Sequence, residues 1–397
     1  MDIQSINKQE KKYIIPTYTR FPLCFKKGKG AYLWDIQNKK YLDFLSGIGV
    51  TNLGHSHPHI LKVLQKQAKN LIHTSNLYYI ESQIKLAKLL SKYSFSGQVF
   101  FCNSGTEANE AAIKLVRRYS YLKFGSEKYE IITMKNSFHG RTLGSLTATG
   151  QEKYQQYFSP LFPGFKYVEF NNFNALEKNI SSKTSAIMIE PIQGEGGINV
   201  ASYDYLKKIR KLCNEKNILL IFDEVQCGIG RTGKFFCYEH YKIKPDILTL
   251  AKSLGNGLPI GAMISKKEIS KYLCAGTHGS TFGGNPLICE VSFNVVLEII
   301  KLLPNVEKMG IYLKNKLETL QKKYSFITEI RGLGLMIGIE GNFEAKNIIK
   351  FCYENGVLIG SAGKNILRFL PPLIITKTDI NKIIKILDKA FSLLKTS

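Results

Sequence analysis

The sequence predicts an α/β protein: a large domain built on a mostly parallel sheet covered by helices, with a smaller α+β domain beside it. Three observations carry this: the length, a series of short apolar runs separated by helical patterns, and a change of pattern near Pro286. At 397 residues the chain exceeds the size at which one hydrophobic core stops growing, so two closely packed parts are expected. With 44% hydrophobic residues and 33 glycines, its composition is that of an ordinary globular enzyme.

The apolar runs are Val99 to Cys102, Ile131 to Met134, Ala186 to Ile189, Ile218 to Phe222 and Ile247 to Leu250. Strands that are apolar throughout are buried on both faces. Their alternation with helical patterns at Glu107 to Tyr121 and Tyr203 to Asn217 points to parallel pairing, because parallel neighbours need a crossover connection. After Pro286 the pattern becomes two helices, Ile288 to Leu303 and Val306 to Lys323, then strands near Ile327 to Ile330 and Leu335 to Ile339, and a last helix from Lys377. Extended segments at Ala31 to Asp35 and Lys40 to Asp43 complete the small part. The expected division is a segment 1–50 packing with the small domain, a large domain over 51–286 and a C-terminal small domain over 287–397.

A net charge of +24 raises nucleic acid as a partner, but eight arginines against 47 lysines, spread singly and in pairs, describe a solvated surface. No nucleic-acid or membrane partner is expected. The eight cysteines form no C-x-x-C pair, and the first twelve residues lack an apolar core and cleavage site. Free thiols in a reducing, cytoplasmic setting follow, and no metal site is expected.

The chemistry concentrates in I-L-L-I-F-D-E-V-Q-C-G and P-D-I-L-T-L-A-K-S-L-G-N-G. Asp223 ends one apolar strand and Lys252 ends the next, so both emerge at the carboxyl edge of a parallel sheet, where such sheets bind ligands. Alone, an Asp there is usually a helix cap and a Lys is usually surface. Together they suit pyridoxal phosphate: the lysine holds the cofactor, and the carboxylate keeps its pyridine nitrogen protonated. Ser104, Gly105 and Thr106 open a helix after a strand and offer unpaired amides and hydroxyls to a phosphate, although plain N-capping reads equally well. Ser280 and Thr281 add hydroxyls in a glycine-rich loop that is otherwise a turn. In N-S-F-H-G-R-T, Phe138 can lie along an aromatic cofactor, and Arg141 can grip a carboxylate with its planar fork. Arg368, among apolar neighbours in N-I-L-R-F-L-P-P, is a second clamp or a structural ion pair. Glu195, in E-P-I-Q-G-E-G-G, is available to pair with it and release it.

Taken together, S-G-T-E-A, F-H-G-R-T, E-P-I-Q-G-E-G-G, D-E-V-Q-C-G-I-G-R-T-G, A-K-S-L-G-N-G, G-S-T-F-G-G-N-P and R-F-L-P-P resemble the class III, or ornithine-type, aminotransferases of fold type I, from Ser46 to Pro372. The resemblance implies that Gly105 and Thr106 bind the cofactor phosphate, that Phe138 stacks on the ring, and that Val225 and Gln226 contact it, Gln226 at the ring hydroxyl. It implies a homodimer in which Thr281 reaches the neighbouring subunit's phosphate. The short chain, F-H-G-R and Ser75 to Tyr79 lean toward the branch acting on N-acetylornithine in arginine biosynthesis. Arg141 and Ser280 would then hold that substrate, and Arg368 the α-carboxylate of 2-oxoglutarate. Ornithine, succinyldiaminopimelate and 4-aminobutyrate stay open as amino donors. An aminomutase needs no second substrate, and paired Arg141 and Arg368 weigh against it; retention of Asp223 and Lys252 weighs against a non-catalytic binding protein.

Overall fold

A computed structural model describes residues 1–395 of the chain. Its centre is a seven-stranded sheet, with β1 Gln98–Cys102, β2 Glu130–Met134, β3 Phe165–Val168, β4 Thr184–Ile189, β5 Leu219–Asp223, β6 Ile247–Leu250 and β7 Gly261–Ser265 in the spatial order β1-β7-β6-β5-β4-β2-β3. From β6 through β3 all pairings are parallel. β7 runs antiparallel to both β1 and β6, so the sheet is mixed. β4, β5 and β6 are buried at every position, the signature of strands sandwiched between helical layers.

The five apolar runs became strands within one or two residues of their expected limits. β3 and β7 were not anticipated. β3 is a half-buried edge strand that carries Lys166, and β7 opens on Gly261 and Ala262, so neither has an apolar run of the usual length. The helix α1, Gly105–Phe124, follows β1 and buries an alanine-rich face, Ala108, Ala111, Ala112, Leu115 and Val116.

Two further four-stranded sheets flank this centre. In one, Phe25–Lys29, Tyr32–Asp35 and Lys40–Asp43 form antiparallel neighbours, and Val357–Leu358 adds parallel to the last. In the other, Ile327–Leu333, Met336–Gly341, Ile366–Phe369 and Gly360–Ser361 pair antiparallel. The two helices expected over 288–323 are one helix, α2, Pro286–Lys323, that runs through Pro304. Proline removes one backbone bond and clashes with the preceding turn. Here burial of Val295, Val296 and Ile299 on one side of it and Val306, Met309 and Leu313 on the other keeps the helix continuous. All eight thiols are unpaired, and no described helix is long and apolar enough to cross a membrane.

These parts meet at Arg231, whose side chain is fully buried. Its Nη1 donates to the carbonyls of Leu335 at 3.1 Å and Pro371 at 2.6 Å, and its Nη2 donates to Asn52 Oδ1. Asn52 in turn bonds the hydroxyl of Ser253, beside Lys252. A lysine cannot reproduce this fork. We expect Arg231→Lys to lose about 2–4 kcal/mol of stability, read as a lower denaturation midpoint in urea, because buried acceptors are left unpaired. An unchanged midpoint would remove Arg231 from this role.

Candidate active site

β5 and β6 are parallel neighbours, with Asp223 opposite Thr249. Lys252 therefore stands just past the end of β6, at the first residue of a short 3₁₀ turn, Lys252–Leu254, rather than within the strand. Its φ of 41° is left-handed, a conformation that costs a lysine about 1 kcal/mol or more and is held by its surroundings. Between these strand ends and the start of α1 lies a cavity of about 420 Å³, within the range of small-molecule sites.

Ser104, Gly105, Thr106, Phe138, Arg141, Glu195, Asp223, Val225, Gln226 and Lys252 all line this cavity. Ser280 and Thr281 do not. The Ser280 hydroxyl accepts from Gly283 N at 3.0 Å and Asn103 Nδ2 at 3.3 Å, and Thr281 is exposed beside Phe282. The Ser104 hydroxyl is spent on capping: it accepts from Glu107 N and donates to the Glu107 carboxylate. That leaves the first-turn amides of Gly105 and Thr106 for an anion, with the helix dipole behind them. Gly105 tolerates no side chain, because a Cβ there would lie 2.7 Å from Val225 Cγ1.

Asp223 is held from several directions. Oδ2 takes His139 Nδ1 at 2.7 Å and Asn109 Nδ2 at 2.8 Å, and Oδ1 takes Val225 N at 3.0 Å. Three donors thus fix the orientation of this carboxylate. Glu190 is another buried carboxyl in the cavity wall. Burial and the nearby Asp223 charge push it well above the usual carboxylate range, despite bonds from Phe138 N at 2.9 Å and Gly194 N at 3.4 Å. Of the two buried carboxyls, Glu190 is the one whose surroundings favour the protonated form.

Arg368 is buried and donates to Glu195 Oε1 at 2.5 Å and to Gly194 O at 3.2 Å. Gln226 Nε2 also reaches Glu195 Oε1, at 3.2 Å, while its own Oε1 is buried without a partner. Burial alone would raise Glu195, but Arg368 and then Lys252 outweigh it and hold the acid below its ordinary value. Burial likewise pulls the Lys252 amine down to about 8, opposed by the Glu195 charge. A large share of the amine is therefore neutral near pH 8 and able to act as a nucleophile.

Sequence reasoning missed Glu190, Asn109 and the contact made by His139. Glu190 and His139 lay inside quoted motifs and Asn109 directly after S-G-T-E-A, and the signal for the first and last was a polar residue beside an apolar stretch: Asn109 among the alanines of α1, and Glu190 directly after the buried β4.

Residues 13–391 match the family described as Aminotransferase class-III. The chain is 56% identical to the acetylornithine aminotransferase of Methanocaldococcus jannaschii, over 97% of this chain and 98% of that protein. Among solved structures, the ornithine aminotransferase of Toxoplasma gondii superposes with a TM-score of 0.95 at 33% identity, covering 100% of this chain and 96% of the other. The N-acetylornithine aminotransferase of Stenotrophomonas maltophilia gives 0.84 at 33%, covering 98% and 99%. The chain belongs to the class III aminotransferases, enzymes of fold type I that use pyridoxal phosphate.

In the cofactor-free protein, selective acylation of the Lys252 peptide should rise with pH through about 8, where the amine becomes neutral. Glu195→Gln removes a charge that favours the protonated amine, so the midpoint should move lower. A midpoint near 10.5, or an upward move in the variant, would refute the electrostatic account.

Proposed function

We propose that this chain exchanges the terminal amino group between N2-acetyl-L-ornithine and 2-oxoglutarate, giving N-acetylglutamate 5-semialdehyde and L-glutamate, in arginine biosynthesis in the cytoplasm. The observation that carries the reading is the placing of Asp223, Lys252 and Arg141 around one cavity, with Arg368 paired to Glu195 in its wall, in a chain 56% identical to an acetylornithine aminotransferase over nearly its full length. On this reading residues 51–286 are the cofactor-binding domain, and residues 1–50 pack with the small domain, 287–397.

The residues present fit pyridoxal phosphate. The amides of Gly105 and Thr106 would take the phosphate, Phe138 would flank the ring, and Val225 would pack near it. The unpartnered Gln226 side chain would meet the ring hydroxyl. Asp223 Oδ would hold a proton on the pyridine nitrogen, supported by His139 and Asn109. When bound, the cofactor supplies an electron-accepting ring and the carbon that carries the amino group between substrates. Lys252 Nζ would hold the cofactor, and its lowered basicity would suit it to move a proton at the substrate carbon that bears the amine. Arg141 would orient N-acetylornithine, and Ser280, which lies outside this protomer's cavity, would join it only from a neighbouring subunit. Glu195 leaves Arg368 when 2-oxoglutarate brings an α-carboxylate to it, so one pocket serves both half-reactions. Two alternating substrates imply ping-pong kinetics.

A homodimer completes the site on this reading. Leu77, Tyr78, Tyr79 and Phe282 are 89%, 68%, 100% and 63% exposed, an apolar surface that calls for a partner. Thr281, beside Phe282, would reach the neighbouring subunit's phosphate. The 0.95 superposition on an ornithine aminotransferase favours ornithine as a second reading.

The test is a half-reaction panel in which the yellow holoenzyme is mixed with N-acetylornithine, ornithine, succinyldiaminopimelate or 4-aminobutyrate, and loss of colour is followed. N-acetylornithine should bleach it fastest. Faster bleaching by another amine overturns the substrate assignment, and no bleaching overturns amino transfer. Lys252→Ala should lower kcat by about a thousandfold or more, the scale of a lost general acid–base group.

A further inference from the structure

Arg141 has an unusual setting for a carboxylate clamp. Its side chain is exposed and forms no ion pair among the described residues. Two aromatic faces surround it instead: the guanidinium carbon lies 4.2 Å from the ring centre of Tyr154 and 5.4 Å from that of Phe138. The two rings meet edge to face, with centroids 5.6 Å apart and planes at 80°. Arg368, by contrast, is neutralised by Glu195 at rest.

The Tyr154 ring is part of a braced shelf. Tyr154 sits in the single helical turn Glu152–Gln155, and a glutamine on either side of it bolts that turn down. The buried Gln151 donates to the carbonyl of Ser137 at 2.9 Å, the residue before Phe138. Gln155 donates to Thr149 O at 2.7 Å and to the Tyr167 hydroxyl at 3.0 Å. The Arg141 backbone is fixed as well, with its amide donating to Thr106 Oγ1 at 3.3 Å. The loop fits there because Gly140, at φ 138°, presents no Cβ to Thr106.

We propose that Tyr154 is a positioning residue for substrate recognition: its ring holds the Arg141 guanidinium over the cavity without neutralising it. The inference rests on the reading of Arg141 as the grip on the donor's carboxylate. An acid would hold the guanidinium equally still but would have to be displaced by every incoming carboxylate. A ring attracts the cation through its quadrupole and leaves the hydrogen-bonding fork open. Preorganisation of this kind favours substrates that carry a carboxylate far from the reacting amine, and does nothing for amines that lack one.

The experiment compares kcat/KM in the amine half-reaction for N-acetylornithine and for N-acetyl-1,4-diaminobutane, which has the same reacting end and no carboxylate. Tyr154→Leu should lower the ratio of the two values roughly three- to tenfold, the scale of one cation–π contact, with the diaminobutane rate unchanged. Tyr154→Phe, which keeps the ring, should restore the wild-type ratio, and Arg141→Ala should collapse it further. If Tyr154→Leu slows both amines equally, or Tyr154→Phe behaves like it, the ring acts only on general structure and the proposal fails. If Arg141→Ala leaves the ratio intact, the underlying assignment of Arg141 fails instead. Should Tyr154→Leu not fold, Tyr154→Phe and Tyr154→Trp decide, since each must preserve the ratio.

Discussion

The Arg231 guanidinium is buried, forms no ion pair among the described residues, and through its two Nη groups donates to oxygens from three distant stretches of chain, while its Nε has no partner. Taking such a charge out of water costs several kcal/mol unless strong acceptors replace the solvent. Leu335 and Pro371 supply carbonyls from the C-terminal third, and Asn52 supplies an amide oxygen from the N-terminal part. The Asn52 amide nitrogen then fixes Ser253, whose hydroxyl also donates to Gly49 O. The turn that holds Lys252 in a left-handed conformation is thus anchored to the same charge that joins the sheets.

Around that anchor the site separates charge by environment. Asp223 sits among three donors, while Glu190 has two amide bonds, and burial beside Asp223 pushes it well above the usual carboxylate range. Lys252 is brought toward neutrality by burial, and Glu195 limits how far it falls. Similar side chains take different roles because their surroundings differ.

Much of this was legible in the sequence, and the limits follow from physics. β4, β5 and β6 were readable because strands buried on both faces have no polar alternation to obscure them. β7 was not, since a short strand opening on glycine looks like the loop before it. The break expected near Pro304 failed because local propensity was outweighed by packing along α2. In the site, Asp223, Lys252, Arg141 and Arg368 stood out by residue type at strand ends and in glycine-containing loops. Glu190, Asn109 and Tyr154 touch neighbours that only folding brings close, and no spacing rule in the sequence points to them.

The acceptors around Arg231 also tie the cavity to a distant part of the chain. Asp223 ends β5 and Lys252 stands just past β6, whereas Leu335, Arg368 and Pro371 lie in the carboxyl-terminal third. Without that third the guanidinium would lose two carbonyls and Glu195 its cation. The carboxyl-terminal third is therefore part of the cavity's support although most of the residues lining the cavity come from earlier in the chain: it supplies the interior solvation that lets them keep their places.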